Sequence, residues 1–276
     1  MLGPRLLVLF NLLLAGFMSS GQVLIGPVLG GQVGTIIFDN KDNKNLYSRK
    51  PFYGFHAGAS VSVRFQKRIF LQTSILYSQR GKTIIGKDDQ DLKNKVKYGY
   101  IDMPILFSKE FRLKVGKKNS KYYNVHLGAG PLVSYWLNGK GTLNSSDLNE
   151  NLINPPNYDL PYHVTFGKNP QDIVEGEMNV EKPNRIQLGL TFSAGVVFEP
   201  VGSNKFMVTV RYDYGHSFYS QNSKGDFGFP GQVYYYDDLQ VRNMGIALSV
   251  FYFIDLKLDQ KNRGKSTLDI NKVKRK

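Results

Sequence analysis

Residues 185–199 alternate with a period of two. Ile186, Leu188, Leu190, Phe192, Ala194, Val196 and Phe198 share one parity; Gln187, Gly189, Thr191, Ser193, Gly195, Val197 and Glu199 share the other. Successive side chains on a strand point to opposite faces, so one face here is apolar and the other mostly small or polar. Residues 53–66, 69–80, 98–110, 122–138, 205–216 and 240–254 repeat the pattern, and 23–38 follows it less regularly. A soluble sandwich core also alternates, but its strands usually run about 5–6 residues. Longer runs with the polar face inward predict a sheet closed in lipid: an eight-stranded antiparallel transmembrane β-barrel.

The connections support the same expectation. Residues 39–52, 81–97, 139–184 and 217–239 are long, whereas 67–68, 111–121 and 200–204 are short. Outer-membrane barrels pair short periplasmic turns with longer outside loops, which predicts that both termini are periplasmic.

The start of the chain adds an export signal. Arg5 precedes an apolar run from Leu6 to Met18, and Ser19-Ser20-Gly21 supplies small residues for cleavage. This reads as a signal peptide over 1–21, with a barrel over 22–255 and a basic periplasmic tail over 256–276. No window of about 18 apolar residues follows, so helical spans are not expected. The absence of Cys excludes a disulfide framework and a lipid-anchoring Cys after the cleavage site. Tyr and Phe number 17 and 18, in keeping with aromatic rims at the two membrane interfaces.

Charge is uneven. The chain has 36 Lys and Arg against 22 Asp and Glu. Residues 256–276 hold eight Lys/Arg and two Asp, and 109–121 hold six basic residues against Glu110. Residues 139–184 reverse this, with three Lys and seven Asp/Glu. The basic excess is predicted at the periplasmic side, suited to lipid headgroups or to a periplasmic protein partner. An export signal without a basic-aromatic module argues against nucleic acid.

The inward parity collects His56, Arg64, Gln72, Arg80, Asp102, His126, Glu199, Arg211 and Asp213. A narrow barrel has room for little beyond side chains, so these residues are expected to pair as a polar plug. No catalytic, metal or cofactor site is expected. His216-Ser217 with Ser220 is the one constellation suggesting a lipid A-modifying hydrolase, where a His activates a hydroxyl. Asp88, Asp89 and Asp91 lie among lysines and read as a hydrophilic loop. The Gly-x-Gly runs at 26–34 and 128–130 lie inside strands, which suits close packing in a narrow lumen rather than a dinucleotide.

Three segments carry a family resemblance: LQTSILYSQRGK (71–82), KYGYIDMPILFSKEF (97–111) and VHLGAGPLVSYWLNGK (125–140). Leu71, Gln72, Tyr77, Ser78, Arg80 and Gly81, then Tyr100 with Pro104, then Gly130 with Pro131, resemble the strand ends and starts of the PorT-like outer-membrane barrels of Bacteroidota. The resemblance implies an accessory component of type IX protein secretion or gliding motility. A self-sufficient surface barrel serving envelope integrity or adhesion is the alternative.

Overall fold

The structure, a computed structural model, describes residues 22–66, 68–89, 91–115, 121–151, 159–198, 204–222, 224–229 and 235–256. The expected signal peptide, Glu199 and the tail from 257 onward lie outside the described residues.

The described residues form thirteen strands in one sheet. They are β1 (Gln22–Phe38), β2 (Tyr47–Lys50), β3 (Phe52–Gln66), β4 (Ile69–Gly86), β5 (Lys93–Val115), β6 (Lys121–Asn144) and β7 (Leu160–Phe166). After these come β8 (Glu177–Val180), β9 (Ile186–Phe198), β10 (Lys205–Gly215), β11 (Lys224–Phe227), β12 (Asp237–Asp238) and β13 (Val241–Leu256). Two one-turn helices, α1 (Lys41–Leu46) and α2 (Ser146–Asn151), follow β1 and β6.

The prediction of an eight-stranded barrel is therefore corrected: the sheet has thirteen strands. The reason lies in strand length. β4, β5 and β6 run 18, 23 and 24 residues, whereas a tilted strand crosses a bilayer in about 9–11. β5 stays paired on both sides to its outer end, but beyond the ends of β3 and β9 the outer ends of β4 and β6 would be open edges with unpaired backbone groups, which need partners. The long connections supply them: β2 pairs with β4 and β7 with β6. β8, β11 and β12 then continue outward from β7. The β7–β8 pairing is parallel; every other ladder is antiparallel.

Beneath these additions, β1 pairs with β3 and β13, β4 with β3 and β5, β10 with β9 and β13, and β6 with β5 and β9, so the path of pairings returns on itself. Around it, large apolar side chains face out. Leu29, Ile75, Phe107, Leu127, Leu188, Ile246 and Leu248 are each more than half exposed. A soluble sandwich would bury them. An outward apolar band with a polar interior is the arrangement a lipid-embedded sheet requires.

Beyond the band the sense of the sheet inverts along the same strands. On β4, buried Gln72, Ser74 and Ser78 give way to buried Ile84, while outward Ile75 and Tyr77 give way to Gln79, Gly81 and Thr83. On β5, inward Asp102 and Ser108 are replaced by Val96, Tyr98 and Tyr100, and outward Met103 and Phe107 by Lys93, Lys95 and Lys97. The projecting portion is a water-facing cap with a core of its own.

Candidate functional site

Two layers of buried side chains fill the axis of the molecule. The lower layer, inside the apolar band, combines ionic and hydroxylic groups with a buried apolar cluster that includes Leu24, Val28, Leu76, Met207, Phe251 and Phe253. Arg80 Nη2 donates to Asp102 Oδ2 at 2.6 Å, and the Asp102 side chain is wholly buried. Arg211 Nε donates to Asp213 Oδ2 at 3.1 Å, and Thr191 Oγ1 donates to Asp213 Oδ1 at 2.7 Å. His56 Nε2 hydrogen-bonds Ser249 Oγ at 2.8 Å. His126 lies 3.5 Å from Thr209 Oγ1 and edge-on to Phe70. Gln72 is buried on β4, between Ser62 of β3 and Leu106 of β5 in register.

Of the residues predicted to face inward, Arg80, Asp102, Arg211, Asp213 and His56 thus form one electrostatically connected cluster, while Gln72 and His126 have contacts of their own. Arg64 departs from the rest: it pairs with Glu110 at 2.6 Å near the short-turn end and keeps partial exposure. Small residues make room for the two imidazoles. A Cβ on Gly30 would come within 2.5 Å of the His56 ring, and one on Gly195 within 2.6 Å of the His126 ring. The cavity beside Arg80 and Asp213, also lined by Gln32, Gln79 and Asn243, measures about 30 Å³. That is room for a water or two, not for a diffusing solute.

The upper layer is the core of the cap. Trp136, wholly buried, meets Tyr98 edge-on at 5.0 Å and Phe166 at 4.8 Å, with Tyr219 tilted against it at 5.4 Å. Ile36, Ile84, Val96, Leu143, Met178, Leu239 and Val241 complete this apolar mass over the lumen. Within it lies an ion pair: Lys82 Nζ stands 2.8 Å from Asp237 Oδ1, both side chains fully buried. Lys82 also donates to the Asp238 carbonyl at 3.1 Å, and Asn94 and the Tyr235 hydroxyl donate to Asp237 Oδ1. The Tyr162 hydroxyl donates to Asn94 Oδ1 at 2.6 Å. Burial pushes the Asp237 carboxyl above the usual carboxylate range, opposed by the Lys82 ammonium. Burial also carries the Tyr162 phenol well above its ordinary value.

Lys82 and Asp237 were not among the residues expected from the sequence. Lys82 could have been found, since it continues the inward parity of Ser78 and Arg80 by one more step. Asp237 could not, because it reaches the site from a two-residue strand with no periodicity of its own.

At the candidate hydrolase residues, both hydroxyls are engaged by backbone. Ser217 Oγ accepts from the Leu188 N–H at 2.9 Å, and Ser220 Oγ donates to the Lys182 carbonyl at 2.8 Å. Among the described residues no hydrogen bond joins the His216 ring to either serine. Asp89 caps its own turn, accepting from the Asp91 N–H and from Ser146 Oγ. No group of three or more His, Cys, Asp or Glu placed to hold a metal occurs among the described residues.

The outward apolar band around a polar interior meets an independent finding in the sequence: residues 17–217 match the outer membrane protein beta-barrel domain family. The chain belongs to this family. It is therefore an outer-membrane β-barrel protein. No curated protein matches it. Solved structures similar to it include OprG from Pseudomonas aeruginosa, at 11% identity and TM-score 0.41, covering 86% of this chain and 94% of that one. Neisserial surface protein A is similar at 11% identity and TM-score 0.31, covering 84% and 98%. The attachment invasion locus protein Ail of Yersinia pestis, solved with a heparin analogue, is similar at 12% identity and TM-score 0.34, covering 84% and 99%.

Proposed function

We propose that this outer-membrane barrel protein is a non-catalytic accessory component of a secretion or motility assembly, of the type IX kind that its PorT-like segments suggest, and that it acts through its two ends rather than its lumen. The observation that carries this reading is the filled axis: buried ion pairs in the band, then an aromatic core closing the mouth above them. A barrel whose axis is filled among the described residues works by what its surfaces hold. The engagement of Ser217 and Ser220 with backbone supports a role without hydrolysis.

The short-turn end supplies a basic contact surface. Lys109, Arg112 and Lys114 are exposed there, and Arg112 stacks on Tyr122 at 4.2 Å. The first experiment is a mild-detergent pull-down of the tagged native protein, with and without residues 257–276. Stoichiometric partners that disappear with the tail are expected. A lone barrel in both samples would overturn the assembly role in favour of a self-sufficient surface barrel for envelope integrity or adhesion. One observation favours that second reading: the cap has its own core, so it can present a rigid outer surface without a partner. Planar-bilayer recordings should show no steady conductance, and a stable open current would end both readings.

A further inference from the structure

The outward face of the projecting sheet carries lysines, and no carboxylate lies directly across from them on a neighbouring strand. Lys93, Lys95 and Lys97 alternate along β5, all exposed, at spacings of about 7 Å. Lys97 lies directly across from Lys140 of β6, also exposed. Thr83 stands between Lys95 on one side and exposed Lys50 of β2 on the other. Like charges directly opposite on neighbouring strands are destabilising. Here none of the five ammonium groups is paired with a carboxylate among the described residues. Asp88, Asp89 and Asp91 sit in the turn beyond Lys93, at the end of β5 away from Lys97.

Height on the strand says what should neutralise them. Tyr77, Ile101 and Tyr135 form one cross-strand row at the upper margin of the apolar band. The next row is Gln79, Gly99 and Asn138, and the one after is Gly81, Lys97 and Lys140. The lysines therefore begin two rows, about 14 Å of tilted strand, beyond the last lipid-facing aromatics. Allowing for strand tilt, Lys97 and Lys140 stand about 10 Å above the aromatic row, at the foot of the water-facing cap, where a long side chain lying back toward the membrane reaches the headgroups.

We infer that Lys50, Lys95, Lys97 and Lys140 form a docking face for phosphorylated headgroups of the outer leaflet, the paired phosphates of lipid A being the fitting class. The inference rests on the reading that the long-connection end faces outward, which a separate arm tests. A phosphate between Lys97 and Lys140 would remove the cross-strand repulsion, and Thr83 offers a hydroxyl in the adjacent row.

The test uses the full-length protein in detergent, with bisphosphorylated lipid A and its dephosphorylated form as probes and native mass spectrometry as readout. The phosphorylated lipid is expected to bind roughly tenfold tighter or more. The triple substitution Lys95→Gln/Lys97→Gln/Lys140→Gln should abolish that preference, and Lys41→Gln/Lys44→Gln on exposed α1 should retain it. Lys97→Gln alone serves if the triple variant fails to fold. Equal binding of the two lipids, or an unchanged triple variant, would overturn the site. Loss of lipid binding on adding inorganic phosphate would overturn the headgroup as its ligand. Orientation is read separately, from Lys140→Cys in a chain that has no other Cys. Labelling by an impermeant maleimide on intact cells is expected, and protection would overturn the outer-leaflet assignment while leaving the partner pull-down unaffected.

Discussion

The two halves of this molecule solve burial in opposite senses with the same strands. In the band, β4 and β5 turn Ile75, Tyr77, Met103 and Phe107 outward and enclose Gln72, Ser78, Asp102 and Ser108. In the cap the same strands enclose Ile84, Val96 and Tyr98 and turn Thr83, Lys95 and Lys97 outward. What changes is the solvent. Lipid rewards exposed apolar surface and leaves polar groups to find partners inside, whereas water rewards the reverse. Alternation by itself does not say which; the exposed parity does.

The largest effect should come from breaking the buried pair of the band. Asp102→Asn leaves the Arg80 guanidinium without its charge partner and should cost about 3–5 kcal/mol. The double variant Arg80→Met/Asp102→Leu should recover most of that loss, because an apolar pair of similar volume needs no compensation. Refolding yield and urea unfolding of the reconstituted protein check both. In the cap, Trp136→Ala should cost about 3–5 kcal/mol through cavity formation, but locally. Proteolysis should then clip the cap while heat-modifiable migration of the band persists. Simultaneous loss of both would show that the two halves fold as one unit.

A smaller effect sharpens the solvent contrast on one strand and one face. Ile75→Arg, one row inside the upper margin of the apolar band, should cost about 1–2 kcal/mol. Thr83→Gln, eight residues on with the same parity, should stay within about 0.5 kcal/mol, a neutral side chain being needed there because Lys50 and Lys95 stand directly across. Similar costs at the two positions would mean that the lipid boundary has been misplaced.

The smallest effect is acidic. Glu177 accepts from Lys168 Nζ at 2.6 and 2.7 Å and from the Val174 N–H at 3.1 Å, which holds its carboxyl below the usual range. Because the folded value is depressed, this contribution is complete above the ordinary carboxylate pKa and is lost as pH falls through the folded value. Glu177→Gln should flatten that acid loss in thermal melts of the cap, by less than about 1 kcal/mol.

The sequence alone determined a great deal of the band. Alternation over 53–66, 69–80 and 185–199 located strands and their lipid-facing parity, because lipid imposes a period-two pattern that is local and legible. The inward set of His56, Arg80, Asp102, Arg211 and Asp213 followed from the same parity. What it did not determine was which of these residues meet. Asp213 binds Thr191 and Arg211, and His56 binds Ser249. The Arg211 contact lies within β10, but the Thr191 and Ser249 contacts are set by register between strands that meet only in the folded sheet.

The cap was decided only by the tertiary structure. Residues 81–97 and 139–184 lose the lipid signature where the strands leave the membrane, so polar outward positions resembled loops although β4, β5 and β6 continue through them. The strands that complete the sheet there, β2, β7, β8, β11 and β12, are two to seven residues long. Segments that short carry no usable periodicity and form because projecting edges need hydrogen-bond partners. Lys82 and Asp237 meet 155 residues apart in sequence for the same reason. Lipid writes its pattern into each strand separately, whereas the cap exists only once those strands stand side by side.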